Sequence, residues 1–327
     1  MLSLLVRPSA KLTVMSQCLA VLSLLGDKVS FPGAQSYNAS QTSYFAQQQR
    51  EAVPLCVVSP TSAEDVSAVI RSLVTTPDDS PSCRFAFRSG GHSSVPGAGN
   101  SNGGVTIDLR ALNSIELSED KSKASIGPGA RWGEVYTYLE THNLSVPGGR
   151  VAQVGVGGLT TGGGISFFSP RYGWTCDSVV NFQVVLADGS IVNANEEENP
   201  DLLVALRGGS GNFGIVTRID FRTFEQGPFR GGATFHDLSA VDDHIRAFNT
   251  FSQPDSYDEH AAAFMSFGFA PTQGSFVVQN TVYTKAEESP AVYEAIDKIP
   301  ALQSTARIDT MSSFATEMGA FAPDGHR

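Results

Sequence analysis

Three runs of glycine, at Ser89-Gly-Gly-His-Ser93, Gly155 to Gly164 and Gly208 to Gly214, each join an apolar run that reads as a β-strand. Glycine lets a backbone approach a ligand or another backbone closely, so three such loops favour a fold in which strand ends converge on a bound group. Each run alone also suits a tight turn between strands. Taken together, their N–H groups can surround a diphosphate without a helix dipole or a lysine, which makes a large dinucleotide the expected guest. The 32 glycines follow no fixed period, which excludes collagen-like and solenoid chains.

The segments between the runs alternate. CVVSP (Cys56 to Pro60) reads as a strand, and TSAEDVSAVIRSLV as a helix with Thr61 or Ser62 as N-cap and Glu64 and Asp65 in its first turn. RFAFRSGG, GVTIDL and SKASIGPGA read as three further strands, RWGEVYTYLETHN as a helix, and Asp188-Gly189 as a hairpin turn. NPDLLVALR is helical before the third glycine run and IVTRIDF is a strand after it. This alternation predicts α/β layers. Past Gly227-Pro228 the chain mixes β-rich SFVVQNTVYT with helical DDHIRAFNTF and SPAVYEAIDKI. The expected organisation is an N-terminal segment at 1–26, a first domain at 27–228 and a second at 229–327.

A chain of 327 residues with 41% hydrophobic and 17% charged residues can bury the core of two soluble domains. Its net charge of −11 leaves no basic stripe to follow a phosphate backbone, so nucleic acid is not an expected partner. At the N-terminus, Arg7 and Lys11 precede CLAVLSLL, which suits either a secretory leader or a first helix ended by Gly26. Secretion or a soluble intracellular location follows accordingly. The apolar run is too short to span a bilayer, so no membrane partner is expected. Asn38-Ala-Ser40 and Asn143-Leu-Ser145 are glycosylation sequons, as a secreted glycoprotein would carry. Cys18, Cys56, Cys83 and Cys176 lack zinc spacing, and one disulfide among the first three is open.

Several chemistries fail on context. Gly209-Ser-Gly211-Asn-Phe-Gly214 fits GxGxxG, but a helix precedes it and a strand follows, the reverse of a nicotinamide-binding turn. No P-loop occurs, the six histidines show no metal-ligand spacing, and no GxSxG elbow stands at a strand-to-helix turn.

Four ordered stretches, PLCVVSPTSAEDVSAVI, FAFRSGGHSSVPGAG, GGRVAQVGVGGLTTGGGISFFSPRYGWTCDSVVNFQVVLADGSIVNAN and ALRGGSGNFGIVTRIDF, resemble FAD-linked oxidases of the vanillyl-alcohol-oxidase (PCMH-type) fold. The likeness is to the berberine-bridge-enzyme-like branch, especially its fungal members, and is strong from Asp27 to Phe224. It implies an α+β protein: an FAD-binding domain of two α/β subdomains, then a partial substrate domain of antiparallel sheet and helices. It implies FAD held by a single covalent link through His92, with Ser89, Gly90, Gly91 and Ser93 on the diphosphate. Gly157, Gly158, Gly162 and Gly163 would pass beneath the isoalloxazine, and Gly211, Asn212, Gly214 and Val216 would lie towards the flavin and adenine ends.

Departures from the family narrow these expectations. Doubly tethered members carry a cysteine where Val151 stands, so one link is expected; they also carry a histidine where Leu159 stands, so any help it gives the reduced flavin is expected to be absent. Cys176 is expected to fill space near the cofactor. Family members run beyond Arg327, so the chain reads as shortened, and no catalytic base transfers; Tyr283, Glu287 and Glu288 are candidates without support. The implied reaction moves a hydride from an alcohol, sugar or secondary-metabolite carbon to FAD and then electrons to dioxygen. A dehydrogenase, an oxidative cyclase and a non-catalytic remnant are the competing readings.

Overall fold

The structure, a computed structural model, describes residues 18–21, 23–74, 84–271, 274–321 and 325. The leader-like stretch before Cys18, and Cys83, lie outside them. Residues 18–21 and 23–25 are helical, and Cys18 is disulfide-bonded to Cys56.

The first sheet holds β1 (Val29–Ser30), β2 (Cys56–Val58), β3 (Phe85–Arg88) and β4 (Val105–Asp108), in the order β1-β2-β4-β3. β2, β4 and β3 are parallel, and β1 is antiparallel to β2. The crossover between β2 and β3 contains the helix Ala63–Val74. Its Val66, Val69, Ile70 and Leu73 fall three, four and seven residues apart and are buried against the sheet's Val58, Val105 and Ile107. Of the two N-cap residues expected, Ser62 makes the cap: its Oγ accepts from Asp65 N at 3.2 Å, and Thr61 bonds the Asp65 carboxylate instead.

The second sheet is wholly antiparallel: β5 (Ile115–Leu117), β6 (Lys123–Ile126), β8 (Val179–Val185), β9 (Ile191–Ala194) and β10 (Ile215–Arg222), ordered β5-β6-β10-β8-β9. β7 (Leu144–Ser145) pairs apart with β11 (Phe224–Glu225). The Asp188-Gly189 turn joins β8 to β9 as the sequence predicts, with Gly189 at φ +80°. The helix Trp132–Glu140 buries Trp132, Val135, Tyr136 and Leu139 in this sheet's core.

The third sheet follows the loop at Gln226 to Pro228. β12 (Phe229–Asp237), β13 (Ala261–Ala270) and β14 (Gly274–Tyr283) form an antiparallel run, and β15 (Gln303–Ser304) and β16 (Arg307–Asp309) share the far edge of β12. One face packs on the second sheet's core through Phe229, Val282 and the closing helix Met311–Ala320. The other face carries a smaller core of Ala247, Ala261, Tyr283, Tyr293 and Ile296 beneath the helix Val241–Phe251. Among the described residues no strand pairs with the outer edge of β13, where Phe267 and Phe269 are 60% and 72% exposed. SPAVYEAIDKI, expected to be helical, winds only over Ala291–Tyr293 and Glu294–Asp297.

Candidate functional site

The first glycine run leaves the carboxyl end of β3, where a parallel sheet characteristically receives its ligand. Arg88, the last residue of that strand, is 2% exposed and holds the loop from below. Its guanidinium donates to Gly90 O at 3.2 Å, Ser40 O at 3.1 Å and Ser43 Oγ at 3.0 Å, and lies 3.8 Å from the Tyr44 ring centroid. Asp108, at the end of neighbouring β4, faces Arg88 at 3.9 Å and Arg110 at 2.7 Å, and accepts from Ser40 Oγ. Burial alone would push the Asp108 carboxyl up, but Arg110's hydrogen bonds and the charge of Arg88 outweigh it, leaving it below its ordinary value. Burial also pushes the Tyr44 hydroxyl up to about 12, so this ring stays neutral.

The second glycine run meets the first backbone to backbone. A Cβ placed on Gly90 would lie 2.5 Å from Gly155 N, so neither loop tolerates a side chain there. Ser89 Oγ donates to Pro128 O at 2.5 Å, and Gly157 N donates to the same carbonyl at 3.1 Å, tying both runs to the turn after β6. The third run closes the opposite side, where Gly211 sits against the Phe87 ring and Gly214 adopts φ +139° beside Val184 and Val185.

Together these loops enclose a cleft of about 710 Å³, within the range of cofactor and small-ligand sites. Ser89, Gly90, Gly91, His92, Ser93, Gly157, Gly158, Gly211, Asn212, Gly214 and Val216 all line it. Gly162 and Gly163 do not: they form the turn after the helix Val156–Thr161, where Gly163 O accepts from Cys176 N at 2.9 Å. Cys176 is buried as expected, and burial first, then Asp177, pushes its thiol pKa up. Leu159 lines the cleft, whereas Val151 does not. Tyr283, Glu287 and Glu288 are absent from its wall; Tyr283 packs against Tyr293 on the far face of the third sheet.

The cleft also has walls that the sequence reading did not name: Phe87, Arg88, Ala98, Gly99, Leu109, Pro128 and Ser210. His92 is only part-exposed, and its ring stacks on Phe45, centroids 3.9 Å apart and planes within 13°. Phe45 N donates to Gly91 O at 3.1 Å, which ties the backbone of the ring's residue to the histidine loop. No pattern around Phe45 marks it as a site residue, because its partner lies 47 positions along the chain.

The backbone N–H groups of Gly90, Gly91 and Ser93 meet no acceptor among the described residues. Unpaired donors at a cleft wall call for an acceptor-rich guest, and phosphate oxygens meet that need. The residues present therefore fit FAD: donors for a diphosphate, small residues for a close-lying ring system, and an imidazole at the wall.

Residues 54–195 match the family described as FAD binding domain. An FAD-dependent monooxygenase of Cochliobolus heterostrophus is 40% identical over 316 residues, 93% of this chain and 59% of the relative. Another from Cercospora beticola is 39% identical over 317 residues, 93% of this chain and 60% of the relative. The chain thus spans about 60% of the length of these curated relatives. Among solved structures, xylooligosaccharide oxidase of Myceliophthora thermophila superposes with a TM-score of 0.75 at 25% identity, over 94% of this chain and 63% of that one. 6-Hydroxy-D-nicotine oxidase of Arthrobacter nicotinovorans, at 22% identity, shares the fold with a TM-score of 0.77 over 92% of this chain and 66% of that one. Residues 54–195 therefore carry an FAD binding domain, and the chain shares the fold of these FAD-linked oxidases.

Proposed function

We propose that this chain is an FAD-dependent oxidoreductase of secondary metabolism that oxidises a C–H bond of an alcohol, sugar or related metabolite and passes the electrons to dioxygen. The observation that carries this reading is the cleft itself, with unpaired loop N–H groups on one wall and His92 on the same loop. Bound there, FAD supplies two-electron chemistry that no protein side chain offers. The monooxygenases of Cochliobolus and Cercospora support dioxygen as the acceptor.

Each wall has a task in this reading. Gly90, Gly91 and Ser93 hold the diphosphate by backbone N–H, and Gly157 and Gly158 leave room for the isoalloxazine. Gly211, Asn212, Gly214 and Val216 hold the remainder. His92 is the site of the single covalent link, with a neutral imidazole nitrogen as nucleophile. Residues 27–228 form the flavin module and 229–327 contribute to the substrate side. The Cys18–Cys56 bridge supports folding in an oxidising compartment such as the secretory pathway. Among the described residues no helix is long and apolar enough to cross a membrane.

Acid precipitation of the purified chain and of His92→Ala tests the reading. Yellow flavin that stays with the wild-type pellet and leaves the variant's is the expected result. A folded wild-type chain with no flavin, bound or released, overturns it.

A further inference from the structure

Arg150 sits one residue past Gly149, whose backbone lies against Leu159, a side chain of the cleft wall. On its other side Arg150 reaches the third sheet: its guanidinium carbon stands 4.7 Å from the centroid of Phe264 on β13. Arg150 does not itself line the cleft; the cation stands between the backbone behind Leu159 and that sheet. Phe264 stacks in turn on Phe167, centroids 6.5 Å apart, and is in register with Asn280 of β14, so Phe264 and Asn280 share one face. Asn280 is 5% exposed, and its side-chain amide has no hydrogen-bond partner among the described residues.

Arg88, Arg110, Arg218, Arg230 and Arg307 each pair with an aspartate or glutamate. Arg150 pairs with none among the described residues; the Phe264 ring is its one contact of this kind. Burial pulls its pKa down from the ordinary value, with no carboxylate to offset the effect. A half-buried guanidinium without an anion is costly, and stacking on a ring leaves its in-plane N–H fork unused. The rest of the molecule works against an anionic ligand, since a net charge of −11 repels one at long range. A half-buried cation with no acidic partner among the described residues reverses that locally.

We infer that Arg150 is a binding residue for an anionic oxygen, a carboxylate or phenolate, of the small molecule that this site oxidises. The inference rests on the proposed function and narrows its substrate class. The guanidinium fork takes the anion bidentately, Phe264 holds the fork's plane, and Asn280 offers a neutral donor on the same sheet face.

Titration calorimetry of the chain as purified, at low ionic strength, with benzoate and with benzyl alcohol as probes, tests it. Benzoate binding to the wild type that weakens roughly tenfold in Arg150→Gln, with benzyl alcohol unchanged between the two, is expected. Equal benzoate affinity in wild type and Arg150→Gln, or no benzoate binding to the wild type, overturns it. Arg150→Lys keeps the charge and loses the fork, so it falls between them. It carries the test should Arg150→Gln not melt cooperatively, with unchanged affinity again the overturning result. Flavin content is recorded separately: a chain without flavin defeats the proposed function, while the benzoate comparison still decides the role of Arg150.

Discussion

An imidazole lying flat on a phenyl ring has its plane set by that ring, and Phe45 does this for His92. Phe45→Ala frees that ring to sample other rotamers, so covalent flavin should form roughly tenfold more slowly while non-covalent FAD is still retained. Flavin fluorescence of the denatured band on a gel, followed over time after adding FAD, reads this directly. Phe45→Leu, which restores bulk without a flat face, should recover only part of the rate. Gly90→Ala acts on the loop meeting instead. Its methyl would collide with Gly155, forcing the two runs apart at a cost of about 1–3 kcal/mol, and bound flavin should be lost while the far-ultraviolet dichroism is kept. At this scale the sequence was legible in that contiguous Ser89 to Ser93 do come together on one cleft wall. Phe45 and Arg88 escaped because what they touch lies elsewhere in the chain. Gly162 and Gly163 do not line the cleft, and a glycine that shapes a turn and one that makes room look alike in sequence.

At the scale of elements, the parallel strands are held in place at their carboxyl ends by a buried charge network. Asp108→Asn leaves Arg88 in a dry site without its counter-charge, and a loss of about 3–5 kcal/mol is expected from breaking one side of such a pair. A chemical denaturation curve checks the magnitude, and flavin retention should fall with it, since Arg88 also holds the Gly90 carbonyl. The helix Ala63–Val74 was readable because its apolar spacing, acidic first turn and Ser62 cap agree. β13 was not: AAAFMSFGFA mixes alanines that suit a helix with a run lacking polar alternation, and only pairing along the length of β14 makes it a strand. The closing helix was equally hidden. Beside its local Thr310 cap, its start is also held from outside, by Glu140 accepting from Ser312 N at 2.7 Å and Ser312 Oγ at 2.6 Å.

For the molecule as a whole, acid is a weakness with a place. His236 and His244 are each 1% exposed, edge to face with centroids 4.2 Å apart between β12 and the helix Val241–Phe251, with Gln279 and Asp243 as their polar neighbours. Burial, then the neighbouring His236, pulls the His244 pKa below its ordinary value, while the unfolded chain titrates near ~6.5. Below that pH the unfolded state binds the extra proton and the native state resists it. The contribution is therefore fully present above about pH 6.5 and is lost as pH falls towards the lowered native pKa. Urea midpoints at pH 7.5 and 5.5 should differ more in wild type than in His244→Gln. The whole-molecule plan was legible because the four motif stretches stand in register along the chain. The second sheet's antiparallel order was not, since strand direction is a property of connections and not of composition.

The open edge of β13 bears on how the protein behaves in a tube. Ten residues without a lysine, arginine, aspartate, glutamate or proline have no strand partner along one side among the described residues, beside two exposed phenylalanine rings. That is a template for another strand, so concentrated solutions of this chain will thicken and scatter light before they crystallise, and a charge planted on that edge is the remedy.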